Sequence, residues 1–161
     1  MKASDPFCIS TTGSTRATSY TWSNKIITRD GKTHVVWLHA PATVYGRTYD
    51  HSSGEWSETT QIADGSDNHT CPCITMDKDG HIHLTYGPHG WSDGWNQSRV
   101  KWKRSARPGT LAEWEPEGEG YGTYWNNFGY NATAASIVHH PSGLDAVVSR
   151  GGENPPQTVF H

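Results

Sequence analysis

The stretch Asp67–Gly90, DNHTCPCITMDKDGHIHLTYGPHG, decides the fold class of this chain. Apolar side chains recur at every second position on both sides of a central turn, at Ile74, Met76, Ile82, Leu84 and Tyr86. A period of two is the pattern of a β-strand with one buried face. The segment Asp77–Gly80 between the two runs has the composition of a tight turn. The stretch therefore predicts a β-hairpin.

Two histidines flank this hairpin. His69 precedes the first predicted strand and His89 follows the second. Strands rise by about 3.3 Å per residue, so two antiparallel runs of similar length return their outer ends to the same edge. We expect both imidazoles at one rim of a sheet, where they suit acid–base chemistry or a metal site. The alternative is that His69 only stabilises a turn and that His89 only belongs to a Pro-Gly loop.

The composition of the whole chain indicates an all-β protein. Its 161 residues include 17 Gly, 8 Trp and 7 Tyr, which is typical of short strands joined by tight turns. A net charge of -3 and a pI near 6.3 offer no basic surface for nucleic acid. No apolar run is long enough to span a membrane, and the N-terminal residues lack the apolar core of a signal peptide. Neither nucleic acid nor a membrane is expected as a partner.

A repeat appears when the predicted turns are aligned on their glycines. Gly31, Gly80 and Gly143 each precede an alternating strand, and the second interval is somewhat longer than the first. A period of about 40–50 residues is typical of the four-stranded blades of a β-propeller. We therefore predict an extended or strand-like N-terminal segment at 1–23 and an incomplete propeller of antiparallel blades at 24–161. The blades fall at roughly 24–65, 66–120 and 121–161, with an insertion in the second interval and a partial third blade.

The predicted outer strands and open edges have further consequences. Trp56 and Trp114 lie in the outer strands and are expected to pack between neighbouring blades. Propellers close with about 4–8 blades, so two and a half blades leave strand edges and faces uncovered. We expect either a longer protein or self-association through these open edges.

Several short segments together carry a family resemblance. They are Asp67–Thr70, Asp77–His83, Tyr86–Gly90, Val100–Ser105 and Pro108. With them the chain resembles the BNR-type repeat propellers that include the ulvan lyases, over roughly residues 24–152. The resemblance implies a seven-bladed propeller that cleaves a sulfated algal polysaccharide by β-elimination at a uronic acid. It also implies an anionic polysaccharide as partner and a secreted or periplasmic location.

The resemblance assigns roles to individual residues. It implies His69 as the principal base, His89 as a neighbour that binds or neutralises the uronate carboxylate, and Arg150 as the carboxylate clamp. These residue types suit the reaction, because histidine titrates near neutral pH and arginine pairs bidentately with carboxylates. The alternative for Arg150 is a structural ion pair with Asp145 or Glu153.

One residue of the family motif is missing. The motif has a tyrosine at the start of the strand that leads to the arginine, and the corresponding position here is Ala134. The chain is then an inactivated variant, a non-catalytic relative, or an enzyme in which Tyr130 or Tyr124 supplies the acid.

Aromatic side chains are concentrated in two long predicted loops, as Trp91, Trp95, Tyr124 and Trp125. Flat side chains on loops stack on sugar rings, so we predict that they bind substrate together with Asn68. The alternative is that these aromatics form a local core over the blades.

A metal site is a rival use of the same region. Cys71 and Cys73 lie close to His69, and His51 or His39 from the first unit would have to complete a tetrahedral zinc site. We expect no cofactor for the elimination itself, with a structural zinc or calcium ion as the alternative.

Two other functions fit the same pattern. One is a carbohydrate-binding propeller without catalysis. The other is a sialidase-like glycoside hydrolase, which ranks last because such an enzyme needs paired carboxylates and an arginine cluster. The Asp and Glu residues here lie mainly in predicted turns.

Overall fold

The described part of the chain consists of β-strands in three antiparallel sheets. The computed structural model describes residues 6–18, 23–65, 67–86, 101–116, 118–119, 134–139, 145–150 and 158–160. These residues form twelve strands and no helix, which confirms the all-β prediction. These described residues contain no helix that could cross a membrane.

The first sheet has five strands. They are β1 (Ile26–Arg29), β2 (Lys32–His39), β3 (Thr43–Asp50), β4 (Glu55–Trp56) and β5 (Thr60–Asp64). Strands β2 and β3 pair over their whole length, from Lys32 opposite Asp50 to His39 opposite Thr43. Both β4 and β5 pair with β3, so the single outer strand expected for this unit is split into two.

The N-terminal segment covers the free half of the edge of β2. Strand β1 pairs only with residues 32–35 of β2. On this edge, the second half of β2 therefore has backbone groups without a strand partner. The N–H of Ser14 donates to the Leu38 carbonyl at 2.9 Å, and the Leu38 N–H donates to the Ala17 carbonyl at 3.4 Å. The segment thereby satisfies backbone groups that would otherwise be an exposed strand edge.

The second sheet contains the hairpin predicted from the sequence. Its strands are β6 (Cys73–Met76), β7 (Ile82–Tyr86), β8 (Lys101–Arg104) and β9 (Gly118–Glu119), paired in that order. The register runs from Cys73 opposite Thr85 to Met76 opposite Ile82. Gly80 closes the turn at φ 86°, a conformation that favours glycine.

The third sheet is also an antiparallel meander. It consists of β10 (Ala134–His139), β11 (Asp145–Arg150) and β12 (Thr158–Phe160). The backbone of β10 lies next to both β6 and β7. The first residue of β10, Ala134, pairs with the last residue of β11, Arg150.

The first two sheets share one hydrophobic core. The alternating apolar positions of the predicted strands fill it: Val36, Leu38, Val44, Ile62, Ile74, Ile82, Leu84, Tyr86 and Leu111 are all buried. Gly46 lets the sheets approach, because a Cβ there would lie 2.8 Å from Leu111 Cδ1 and 2.9 Å from Ile62 Cδ1. A side chain at this position would force the two sheets apart.

A polar cluster closes the turn end of the second sheet. Asp77 Oδ2 lies 3.0 Å from His83 Nε2, and Trp102 Nε1 donates to His83 Nδ1 at 3.2 Å. Burial of Asp77 opposes its ionisation, but hydrogen bonds from His83 and from backbone N–H groups outweigh this and lower its pKa to about 2. Arg29 of the first sheet donates to the Asp77 carbonyl at 2.7 Å, so the turn ends of the two sheets lie side by side.

The two outer tryptophans have different surroundings. Trp114 packs against the shared core between the two sheets. Trp56 instead stacks on Phe7 of the N-terminal segment, with ring centroids 5.9 Å apart. It pairs in register with Tyr49.

Candidate functional site

The turn from Asp67 to Thr70 holds His69 in a defined orientation. Asp67 Oδ1 accepts the backbone N–H of His69 at 2.7 Å, and the Thr70 N–H donates to the Asp67 carbonyl at 3.1 Å. The same Oδ1 lies 3.3 Å from Nδ1 of the His69 ring. An ionised carboxylate at this place favours the tautomer with its proton on Nδ1 and the lone pair on Nε2. The His69 side chain is 28% exposed, which leaves part of the ring open to solvent.

This turn rests on the β2–β3 connection of the first sheet. The Gly65 N–H donates to the Ala42 carbonyl at 2.9 Å. A Cβ on Gly65 would collide with Thr70 Oγ1 and lie 2.6 Å from the Ala42 carbonyl oxygen, so only glycine fits between them. His69 therefore lies at the end of the two sheets opposite their Gly31 and Gly80 turns.

The N-terminal segment forms another wall of the same region. Asn68 Nδ2 donates to Thr15 Oγ1 at 3.4 Å. Thr12 Oγ1 lies 2.9 Å from His39 Nδ1, and the His39 ring packs on Tyr45 with centroids 4.6 Å apart. Asn68, which was predicted to bind substrate, thus lies in the same corner of the fold as His69.

The strand that follows His69 is anchored by residues 23–24. Ser23 Oγ donates to the Pro72 carbonyl at 2.5 Å, and the Ile74 N–H donates to the Asn24 carbonyl at 2.8 Å. Asn24 Nδ2 also donates to the Ile74 carbonyl at 3.0 Å. These bonds fix the segment between His69 and β6 against the start of the first sheet.

The structure does not assemble the alternative zinc site. Cys71 and Cys73 are buried free thiols, and His51 lies at the other end of the first sheet, where Nε2 is 2.8 Å from Thr33 Oγ1. Burial raises the pKa of the Cys71 thiol, whereas zinc binds the thiolate. Among the described residues, no group of three or more His, Cys, Asp or Glu side chains is placed to hold a metal ion. The structure therefore does not bring His51 together with the two cysteines, whereas the other candidate, His39, lies at the His69 end of the first sheet.

Strand pairing shows which residue lies opposite Arg150. Arg150 ends β11, and its backbone partner is Ala134 at the start of β10. The position assigned to the motif's tyrosine is therefore directly opposite the arginine. Six other predicted site residues lie outside the described residues: His89, Trp91, Trp95, Tyr124, Trp125 and Tyr130. Their roles stay predictions.

Two residues near His69 were not among the predicted catalytic or substrate-binding residues. Asp67 orients the His69 ring, and His39 lies at the same end of the first sheet. The signal for Asp67 is its position two residues before His69, which is typical of an Asx turn. The signal for His39 is the repeat: when Gly31 is aligned with Gly80, His39 falls one position before the equivalent of His89.

Sequence comparison finds curated relatives but no matching family. No protein-family profile matches the chain. At 31% identity over 107 residues, the chain is similar to an ulvan lyase of Alteromonas sp. (strain LOR), and it is equally similar to "Ulvan Lyase-PL25" of Pseudoalteromonas sp. (strain PLSV). Each alignment covers 55% of this chain and 22% of the relative. The chain thus spans about a fifth of the length of the curated relatives it matches.

Three solved structures share the fold. A polysaccharide lyase described as PL25 ulvan lyase superposes with a TM-score of 0.71 at 22% identity, over 92% of this chain and 36% of that chain. A second structure of this lyase, bound to -[GlcA(1-4)Rha3S]-, gives 0.67 at 21% identity, over 88% and 34%. The polysaccharide lyase Uly1 gives 0.55 at 12% identity, over 85% and 37%. Because all three identities are low, the similarity to these structures shows a shared fold and nothing further.

Proposed function

We propose that this chain is part of an ulvan-lyase-like polysaccharide lyase, which cleaves a sulfated, uronic-acid-containing polysaccharide by β-elimination. The observation that carries the proposal is the Asp67–His69 pair, in which a carboxylate oxygen 3.3 Å from Nδ1 orients a partly exposed imidazole. The sequence similarity to two ulvan lyases supports the same reaction class. The three antiparallel meanders are then successive blades of a BNR-type β-propeller.

In the proposed reaction His69 acts as the base. With its proton on Nδ1 facing Asp67, the lone pair on Nε2 removes the C5 proton of the uronate. The electron pair of the broken C5–H bond forms the C4–C5 double bond, and the bond from C4 to the glycosidic oxygen breaks. That oxygen takes a proton from an acid, so the products are an unsaturated uronate and a new hydroxyl group.

The developing negative charge requires cationic neighbours. Removal of the C5 proton adds charge next to a carboxylate that is already ionised, and fixed cationic donors stabilise this state. We assign this role to His89 and Arg150, with Arg150 as the bidentate clamp. Tyr130 or Tyr124 is the proposed acid, because the position opposite Arg150 is Ala134.

Binding of the polymer is assigned to Asn68 and to the loop aromatics. Asn68 lies beside His69 and is tied to the N-terminal segment through Thr15. Trp91, Trp95, Tyr124 and Trp125 would stack on sugar rings. An extracellular location fits a polymeric substrate, and open sheet edges favour self-association.

The test is ultraviolet absorbance of the unsaturated uronate, followed over time with ulvan and other uronate polysaccharides. We expect His69→Ala to lower the initial rate by about 10²- to 10⁴-fold, the usual contribution of a general base. His51→Ala is the matched control, because this exposed histidine lies at the opposite end of the sheet. An undiminished rate in His69→Ala would contradict the assigned base.

A carbohydrate-binding module without catalysis is the second candidate. The observation that favours it is the alanine at position 134, directly opposite Arg150, where the motif has a tyrosine. If this candidate holds, the chain binds uronate polysaccharides without an absorbance change, and Ala134→Tyr creates measurable elimination. If Tyr130 already supplies the acid, Ala134→Tyr leaves the rate unchanged and Tyr130→Phe lowers it.

A further inference from the structure

The end of the second sheet nearest His69 carries a lysine that the proposed reaction does not use. Cys73 at the start of β6 pairs with Thr85, so the next residue of β7, Tyr86, lies at the end that the chain enters from His69. Lys101 at the start of β8 pairs directly with Tyr86. Lys101 and the His69 turn therefore lie at the same end of the sheet, on strands β8 and β6, which are two strand spacings or about 10 Å apart.

The first sheet lies beside the same lysine. Lys103, two residues further along β8, donates from Nζ to the Ile62 carbonyl of β5 at 2.8 Å. Gly65 comes three residues after Ile62 and lies directly against the turn that holds His69. Lys101 is about 7 Å from Lys103 in the direction of the His69 end, so it lies next to the end of β5 from which the chain leads to this turn.

A buried tyrosine orients the side chain of Lys101. Tyr86 is fully buried in the shared core, and Lys101 Nζ lies 6.0 Å from the centroid of its ring. This distance is near the outer limit of a cation–π contact, so the ring supports the side chain but does not neutralise the ammonium charge. Lys101 is only half-buried although both sheets are in place, so it lies at the rim of their interface and not inside it.

We infer that Lys101 binds a sulfate group of the polysaccharide next to the uronate at His69. The ligand class rests on the proposed function. An ammonium is a compact point charge with three donors, which suits the tetrahedral oxygens of a sulfate, whereas the planar fork of arginine suits a carboxylate. The clamp assigned to Arg150 and the contact of Lys101 therefore recognise two different anionic groups of one polymer. In this role Lys101 determines specificity for sulfated polymer and touches no reacting atom.

The experiment compares Lys101→Met with the wild type in the absorbance assay, on ulvan and on chemically desulfated ulvan. Methionine keeps an unbranched apolar side chain on Tyr86 but removes the charge. On ulvan we expect KM to rise by about 10-fold, as for loss of a charge-assisted hydrogen bond. We expect kcat to change by less than about twofold, because the contact is made equally in the ground state and in the transition state. On the desulfated polymer the KM values of the two proteins should agree within about twofold.

Two further variants control for charge and for packing. Lys78→Met makes the same change at an exposed lysine at the opposite end of the second sheet, where Nζ lies 2.7 Å from Asp79 Oδ2, and it should alter KM on ulvan by less than about twofold. Lys101→Arg keeps the charge and should stay within about threefold of the wild type. The sulfate contact is overturned if Lys101→Met leaves KM on ulvan unchanged, if Lys78→Met or Lys101→Arg raises it equally, or if the rise persists on the desulfated polymer.

Affinity electrophoresis through gels that contain ulvan or its desulfated form separates this inference from the proposed function, because it needs no turnover. If the wild type shows no elimination but its retardation by ulvan is weakened by Lys101→Met, the sulfate contact is supported and the proposed reaction is overturned. Elimination with a KM that does not depend on Lys101 overturns the sulfate contact alone. Absence of both retardation and elimination overturns both.

Discussion

His34 makes the stability of the first sheet depend on pH. Its side chain is fully buried in β2, its Nδ1 lies 2.9 Å from Thr48 Oγ1, and its Nε2 is buried with no hydrogen-bond partner among the described residues. Burial, assisted by the charge of Lys32, lowers the pKa of His34 from 6.5 to about 4. The ring is therefore neutral in the folded protein at neutral pH.

The size and sign of the effect follow from proton linkage. Because the pKa of His34 is lower in the folded state than in the unfolded state, the unfolded chain binds this proton first as pH falls. The folded state keeps its full stability above pH 6.5 and loses it as pH falls towards 4, at about 1.4 kcal/mol per pH unit. The total loss from this one group is roughly 3 kcal/mol, which is a large share of the usual 5–15 kcal/mol of a domain.

Urea unfolding at several pH values between 7.5 and 4 measures this loss. His34→Gln keeps a group that can hydrogen-bond Thr48 but cannot titrate, so its free energy of unfolding should fall by roughly 3 kcal/mol less than that of the wild type over this range. His51→Gln, at an exposed histidine, should follow the wild type. A pH dependence of His34→Gln that parallels the wild type within about 0.5 kcal/mol would refute the reasoning.

Three further predictions concern packing and buried groups. Asp77→Ala should destabilise the chain by about 3 kcal/mol in urea unfolding at pH 7, because it leaves several buried donors without their acceptor; a loss below about 1 kcal/mol would contradict this. In the wild type, the stabilisation from Asp77 should be present above pH 3.8 and be lost as pH falls towards its folded pKa of about 2. Gly65→Ala should cost about 1–3 kcal/mol and also slow the proposed elimination, because its Cβ would collide with a threonine oxygen in the turn that holds His69, the proposed base; unchanged melting and rate would argue against that turn geometry. In a thiol-reagent assay Cys8 should react at once and the buried Cys71 and Cys73 only on unfolding, whereas three fast thiols would show that the second sheet is not packed as described.

The hairpin of the second sheet could be predicted because its signals are local. The alternation of apolar residues and the Asp77–Gly80 turn are readable within one short stretch of sequence, and the structure pairs the same two strands. The repeat of turn glycines predicted the corresponding hairpin of the first sheet for the same reason, and Gly31 adopts φ 74° there. The split of the outer strand into β4 and β5 was not predicted, because strands of two and five residues carry too little periodicity.

The sequence singled out His69, whose catalytic role stays a prediction, but it did not reveal which residues surround it. The Asp67-Asn68-His69 motif identified the turn, and the pairing of Ala134 with Arg150 agrees with the register assigned from the sequence. For the zinc alternative, proximity in sequence placed Cys71 near His69 but could not reveal that His51 lies at the far end of the first sheet and His39 at the near end. The distance between residues at the two ends of a sheet depends on which strands pair, and the amino-acid sequence does not state that pairing.

The sequence by itself determined the hairpin strands of the first two sheets, because alternation and turn chemistry act over a few neighbouring residues. It also determined the residue types at the turn that carries His69. The tertiary structure alone decided which groups meet: the N-terminal segment along the edge of β2, the contact of Gly65 with Thr70, and the grouping of Phe7 with Arg47 and Trp56. These contacts join residues far apart in the chain, and they form because buried backbone groups and apolar faces must find partners wherever the folded sheets bring them.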